Sequence, residues 1–380
     1  MITTGHCAPR FSKVREAFEA NFRVHDEIGA DLALIVDGET VVDLRGGWRD
    51  AARTQPWTPD TVTNVWSATK GINGACFAML ADRGLMSYED RVSRYWPEFG
   101  TAGKADITIG MLLSHQAGVS AFAAPATLAD LLGGERSASR LAAQAPLWAP
   151  GTVAGYHGMT LGILSTALFK RIEGRSMRQF VAEEIASPFG LRLSIGLDPK
   201  DEDEVAEMLP VPPLEEGGMG NSNRKLERSN PIQYLTLTNP AVPGALANDA
   251  AWRAADLPSA NGYSNARALA SLYELLRRPP ADGRRLAGPE AIAQATHCRF
   301  EGVDLVKGIF TRWSAGFWLN PGQIYGPNLE AFGYSGWGGS FAFADPVAHI
   351  AVAYTMNRMG DRFDLDPRRR GLIEAVYASI

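Results

Sequence analysis

Apolar residues change their period along this chain. Over 9–25, Phe11, Val14, Phe18 and Phe22 fall on one stripe, the spacing of an amphipathic helix. From 31 to 47, two β-rich runs flank Asp37-Gly38, a pair favoured in two-residue type I′ turns, which predicts a hairpin. A Pro- and Thr-rich loop at 54–64 follows. Helical spacing then runs from Val65 to a stop at Gly84. Between about 87 and 265 the strand signal fades, and helical patterns appear at 108–114, 127–145, 159–174 and 176–186. Residues 198–230 are acidic, then Pro- and Gly-rich, then polar, and read as an exposed excursion whose 201–207 run is a solvated face. A helix is expected at 263–278. From 312, RWSAGFWLN, FGYSGWGG, SFAFAD and AHIAVAYTMN predict four strands, with Asp345-Pro346 turning between the last two. A helix at 366–379 ends the chain.

Strands at both ends and helices between them suggest an α/β lobe interrupted by a helical one. The α/β lobe is expected from roughly 1–75 plus 265–380, and the helical lobe from 76–264, with the active site in the cleft between them. At 380 residues the chain exceeds the size at which one core usually stops growing, which suits two lobes.

Composition narrows the function. A net charge of −5 argues against a dedicated nucleic-acid binder. No run approaches the ~20 apolar residues of a membrane helix, and no basic stretch with a long apolar run opens the chain. A soluble, cytoplasmic protein is expected, without nucleic-acid or membrane partners. Cys7, Cys76 and Cys298 are scattered and form no CxxC, so neither a disulfide framework nor a zinc site is readable. The six histidines are isolated, and no GxGxxG or P-loop occurs, so no metal or cofactor is expected. No GxSxG elbow is present either. Lysine is scarce, at 7 of the 37 basic residues, so a Lys in an apolar setting stands out.

One such residue is Lys70, in Ser67-Ala68-Thr69-Lys70. Chance alone supplies roughly 0.4 such pairs in a chain of this composition, so the bare motif is weak. A second match, Ser222 to Lys225, lies in the polar excursion with no helix to align it and is taken as accidental. Ser67 is followed by an apolar helix, which puts residues i and i+3 on one face. The hydroxyl would then meet the Lys70 amine at a helix N-terminus, where developing negative charge is favoured. A buried lysine has a depressed pKa and can serve as a base, and a serine hydroxyl needs one to become a nucleophile. The plain alternative is a capping serine with a surface lysine.

Further landmarks follow in order: Leu112-Leu113-Ser114-His115-Gln116-Ala117-Gly118, Trp148-x-Pro150-Gly151 with Tyr156-His157, Pro188-Phe189-Gly190-Leu191, and Phe332 to Ser340. With Ser67 and Lys70, the series resembles the serine β-lactamase and penicillin-binding-protein superfamily, and within it most nearly the family VIII, class C β-lactamase-like carboxylesterases. The resemblance implies a β-lactamase/DD-peptidase-like fold, with an antiparallel sheet flanked by terminal helices and an inserted, mostly helical lobe. It implies hydrolysis of short-acyl esters through a Ser67 acyl-enzyme, with Lys70 and Tyr156 as proton-handling partners and no cofactor. Tyr156 is the expected proton acceptor, with Lys70 as the adjacent cation. Whether the Lys or the Tyr takes the serine proton stays open, because the three groups titrate as one unit. The oxyanion hole would be the backbone amides of Ser67 and Trp337, with Gly336 close to substrate. Tyr334 is expected at the substrate side, and His157 beside Tyr156 as a site contact. His115 is expected to be a hydrogen-bonded structural residue rather than a base.

Two departures separate the chain from β-lactamases and peptidases of the superfamily. Gly158 stands where those show the Asn of Tyr-x-Asn. Tyr334-Ser335-Gly336 stands where they show a basic residue with Thr-Gly, or Trp337-Gly338-Gly339 fills that place instead. The first placement is preferred, because a strand is expected to continue from it to Asp345. The departures favour an esterase acting on a small-molecule ester, with weak β-lactam hydrolysis as a side activity. A β-lactamase or D-alanyl-D-alanine peptidase is the alternative. A non-catalytic binding member is a second alternative, disfavoured by the presence of Ser67, Lys70 and Tyr156.

Overall fold

A computed structural model describes residues 3–210, 228–279, 282–360 and 366–380. Its strands are β1 (Thr4–Cys7), β2 (Gly29–Val36), β3 (Glu39–Gly47), β4 (Thr63–Asn64), β5 (Leu193–Ile195), β6 (Gly262–Ser264), β7 (Phe300–Val303), β8 (Phe310–Trp313), β9 (Trp318–Leu319), β10 (Phe332–Ser335), β11 (Phe341–Asp345) and β12 (Ile350–Met356). Nine of them form one sheet, in the order β1-β3-β2-β12-β11-β10-β9-β8-β7, with every neighbouring pair antiparallel. A small sheet in the order β4-β6-β5 joins three distant segments. The fold is α/β (α+β), with an antiparallel sheet and helices on both of its faces.

Alternation along the central strands decides what packs where. Leu32 and Leu34, Phe341 and Phe343, and Val352 and Tyr354 point to one face. There they meet Val14 and Phe18 of helix α1 (Ser12–Val24) and Leu372 and Val376 of the C-terminal helix Pro367–Tyr377. The intervening residues, Ala33, Ala342, Ala344, Ala351 and Ala353, point the other way. Their small side chains let helix Ala266–Arg277 lie close across β2, β12 and β11. That helix presents Leu269, Leu272 and Tyr273 to a larger core, which continues through helix α2 (Thr69–Asp82) into the helices of the middle of the chain.

Most expected elements form. Asp37 and Gly38 have φ of 50° and 89°, the two positive values a type I′ turn requires. The 65–84 pattern yields α2, 159–174 yields helix Thr160–Glu173, and the chain ends in Pro367–Tyr377. The 127–145 pattern splits at Gly133-Gly134 into Leu128–Leu131 and Glu135–Ala143. RWSAGFWLN is two strands, β8 and β9, because a tight turn at Ser314–Gly316 breaks it. The strand expected to run from 334 to Asp345 instead ends at Ser335 and reverses over 336–340 into β11.

The 201–207 run is less solvated than its charge suggests. Asp201 is buried against Arg192 at 2.8 Å, and Arg49 bonds Glu204 at 3.1 Å. Ser222 and Lys225 lie outside the described residues. No helix among the described residues is long and apolar enough to cross a membrane. All three cysteines are free.

Candidate active site

Ser67 lies in a turn just ahead of α2, one step earlier than the helical spacing indicates, since the helix begins at Thr69. Backbone ties fix this turn. The Val65 amide donates to Gly262 O (2.9 Å), the Asn64 side chain to Ala260 O (2.9 Å), and the Gly262 amide to Thr69 Oγ1 (2.8 Å). Trp66 has φ 47°, a left-handed conformation that side chains with a Cβ rarely adopt. Its ring is gripped between Trp252 and Trp337, at centroid distances of 5.4 and 5.0 Å. Strain of this kind persists only where surrounding contacts hold it, and it concentrates at functional sites. Trp66 and Ala68 are buried, whereas Ser67 is half-exposed.

Two groups converge on the Ser67 hydroxyl. Tyr156 Oη lies 2.6 Å from Oγ, and Lys70 Nζ lies 3.2 Å from it. Lys70 is fully buried at the start of α2, and its Nζ also donates to Gly158 O and Ser259 O, each at 2.8 Å. Burial drives the Lys70 pKa well below the usual lysine range, and the charge of Lys307 lowers it further. A neutral amine has two N–H bonds and one lone pair. The two carbonyls can only accept, so they take the N–H bonds and leave the lone pair facing Ser67. The arrangement therefore has a serine hydroxyl, an amine that in its neutral form can receive the hydroxyl proton, and a phenol able to relay one. Lys70 Nζ also lies 4.8 Å from the Tyr156 ring centroid.

A second lysine over the same ring is Lys307, which the sequence reading passed over. Its Nζ sits 5.1 Å from the Tyr156 ring centroid and 4.5 Å from that of Trp318. Lys307 and Tyr156 share an anchor in the buried carboxylate of Asp304. Asp304 Oδ1 accepts the amides of Tyr156 (3.0 Å), Val306 (2.8 Å) and Lys307 (2.8 Å), while Oδ2 accepts Trp313 Nε1 (3.0 Å). The scarcity of lysine was the one signal that could have marked Lys307. Its turn, Asp304-Leu305-Val306-Lys307, carries no motif.

The residues of the site fall into two layers. Ser67, Tyr156, Gly158, Lys307 and Trp337 line a cleft of roughly 320 Å³, walled by Met159, Gln233, Thr236, Leu237, Pro240, Val242 and Val306. Gly336 lies just behind it, at the turn after β10. Of the two placements of the third landmark, Trp337 is the one that reaches the cleft. Tyr334 is buried behind Lys70, at 5.6 Å from Nζ to its ring, and does not line the cleft wall.

His157 is also placed behind the wall rather than in it. Its ring contacts Gly155 O through Nδ1 (2.7 Å) and accepts the Val119 amide on Nε2 (3.0 Å). The Nε2 atom is therefore unprotonated and Nδ1 carries the proton. His115 accepts the His157 amide on Nδ1 (3.1 Å), so its Nε2–H donates to Tyr334 Oη (2.8 Å). Burial holds His157 down at about 3 and His115 well below the usual histidine range, so both stay neutral at neutral pH. Tyr334 is pushed well above the phenol range by burial and by the nearby Tyr156. This chain of neutral groups braces the segment carrying Tyr156. Two larger grooves lie elsewhere, at the edge near Cys298 and beside the C-terminal helix, and neither contains Ser67. No cluster of three or more His, Cys, Asp or Glu able to hold a metal occurs among the described residues.

Comparison with known proteins gives concordant matches. A family model described as beta-lactamase matches residues 15–376. A Mycobacterium tuberculosis (strain ATCC 25618 / H37Rv) protein named esterase/beta-lactamase LipL is 34% identical over 360 residues, covering 93% of this chain and 83% of that protein. A crystal structure of a family VIII carboxylesterase is similar with a TM-score of 0.92 at 42% identity, with 100% of each chain covered. A structure described as a novel penicillin-binding protein homolog from Caulobacter crescentus gives 0.91 at 41% identity, again with 100% of each chain covered.

Proposed function

We propose that this chain, which belongs to the beta-lactamase family, is a serine carboxylesterase (EC 3.1.1.-) acting on small esters with short acyl chains. It is a hydrolase of the β-lactamase superfamily with ester-hydrolysing relatives. The observation that carries the finer reading is the double contact at Ser67: Tyr156 Oη at 2.6 Å and a buried Lys70 Nζ at 3.2 Å on one half-buried hydroxyl.

The steps follow from that geometry. Ser67 Oγ attacks the ester carbonyl while its proton passes to the lone pair of Lys70. The tetrahedral oxyanion is held by the backbone amides of Ser67 and Trp337. As the C–O bond breaks, Tyr156 gives a proton to the departing alkoxide and regains one from Lys70, leaving an acylated Ser67 and a free alcohol. Water then attacks the acyl carbon. Its proton passes through Tyr156 to Lys70, and as the acyl–Oγ bond breaks that proton returns to Ser67 Oγ, which frees the carboxylic acid and restores the neutral amine. The cleft wall of Met159, Leu237, Pro240 and Val242 is apolar and small, which suits short acyl chains.

A slow β-lactam hydrolysis is the second reading, favoured by the esterase/beta-lactamase name of the M. tuberculosis relative. Both readings are tested by p-nitrophenyl butyrate and a chromogenic cephalosporin, each given to wild type and to Ser67→Ala. Ester turnover that disappears in Ser67→Ala supports the esterase. Turnover of neither substrate by wild type overturns the proposal. Cephalosporin turnover without ester turnover assigns a β-lactamase instead.

A further inference from the structure

The Asp304–Lys307 turn reaches the reaction site without supplying either of the two groups that contact Ser67. It leaves β7 at Val303 and returns to β8 at Phe310. The Asp304 carboxylate accepts the amides of Tyr156 and Lys307 on the same oxygen, so the two residues cannot shift independently. The Leu305 amide adds a second tie, to Ala154 O at 2.9 Å. The Gln233 side chain donates to Val306 O at 2.6 Å and fixes the turn from the opposite wall. Thus Lys307 Nζ is held 5.1 Å from the ring whose hydroxyl contacts Ser67.

We propose that Lys307 is a positioning residue for the esterase reaction, whose charge, fixed over Tyr156 by the Asp304 turn, stabilises that phenol as it gives its proton to the leaving alkoxide. The proposal rests on the esterase reading above. A cation near an aromatic face is attracted by the ring, and the attraction grows when the ring gains negative charge. The benefit therefore appears when Tyr156 becomes a phenolate, which is a transition-state rather than a ground-state contribution. The same charge acts on the base. Lys307 and burial both push Lys70 toward its neutral form. The groups facing Lys70 are Ser67, Tyr156, Tyr334, Lys307 and the neutral pair His115 and His157. Of these, Lys307 is the one whose charge a substitution removes.

Leaving-group dependence separates this role from a structural one. An alkyl ester expels a strongly basic alkoxide and needs the Tyr156 proton. A p-nitrophenyl ester expels a weakly basic phenoxide and needs it little. Lys307→Met should lose about 10–100-fold in kcat/KM on ethyl butyrate, at or below the low end of general-acid catalysis because the proton donor itself is kept, and much less on p-nitrophenyl butyrate. The acid limb of its kcat/KM profile should move up by about one pH unit, because a neutral Lys70 then requires higher pH. Lys307→Arg, which keeps the charge, should restore most of both. Equal losses on the two esters with an unmoved acid limb would overturn the proposal. So would a rise in KM alone, or an Arg variant as impaired as the Met variant. Failure here is distinct from failure of the esterase reading, since wild type must first hydrolyse both esters.

Discussion

Replacing Gly336 with alanine should separate activity from stability. A Cβ built on Gly336 lies 2.2 Å from Ser340 Oγ and 2.2 Å from Val65 O, whereas real Cβ contacts essentially never fall under 3.0 Å. The serine hydroxyl can rotate away, giving up its 2.9 Å bond to Val65 O. The Val65 carbonyl cannot rotate, because it belongs to the backbone two residues before Ser67 and Val65 is itself bonded to Gly262 O. The end of β10 and the Ser67 turn must therefore part by roughly 0.8 Å. A misplacement of about 1 Å at a reacting centre costs about 100-fold in rate, while overpacking of one methyl costs about 1–3 kcal/mol of stability. Gly336→Ala should lose about 100-fold in kcat/KM on p-nitrophenyl butyrate, with a Tm lowered by only a few degrees. Wild-type kcat/KM with an unchanged Tm would refute the reasoning, because the strand would then not be pressed against the nucleophile. A collapsed Tm would refute it differently, by showing the contact to be structural.

Two other perturbations test separate parts of the structure. Tyr156→Phe removes the hydroxyl 2.6 Å from Ser67 and should cost at least about 100-fold on alkyl esters, the low end for a proton-transfer group; near-normal turnover would exclude Tyr156 from the relay. Asp31 is buried in β2, accepts bonds from Thr355 and Ala266, and is pushed up to about 7 by burial. Between about pH 4 and 7 the native state holds a proton that the unfolded chain has lost, so the Asp31 contribution is present at low pH and fades as pH rises toward 7. Asp31→Asn should gain Tm relative to wild type as pH climbs from 4 to 8, and a constant difference across that range would contradict the assignment.

The local signals in this chain were legible where local physics decides them. Asp37-Gly38 dictates its own turn, and the 65–84 spacing dictates a helix, so Ser67 and Lys70 could be placed on one side of it from sequence. Pairings of two or three residues were not legible. β4, β5 and β6 exist because Thr63, Leu193 and Ser264 meet across the fold, and no local pattern encodes that. β7 was missed for a different reason: it is a sheet edge whose exposed positions hold Glu301 and Val303 and whose inner ones hold Phe300 and Gly302, so its alternating burial is not matched by alternating apolar and polar residues. Tyr334 and His157 illustrate the limit for a site. His157 adjoins Tyr156 and Gly158, which line the cleft, and Tyr334 lies three residues before Trp337, which also does, yet side chains on neighbouring strand or loop positions point different ways, so sequence proximity to the wall does not put a residue in it. Lys307 is the converse case, brought over Tyr156 by a carboxylate that bonds backbone amides 148 and 3 residues away.

The pairing of β2 with β12 sets a schedule for biosynthesis. Val36 opposes Ile350 inside the main sheet, so one edge of an early strand has no partner until nearly the whole chain has left the ribosome. At about 5–20 residues per second, that wait is roughly 15–60 s. Throughout it the apolar run Gly29–Val36 has only its hairpin partner β3, with its other edge open. Gly336 and Trp337 emerge in the same late stretch, so the wall opposite Ser67 is completed only as translation finishes. The nascent protein therefore remains inactive and exposed until its last strands arrive, and C-terminal truncation should yield aggregation rather than a weakened enzyme.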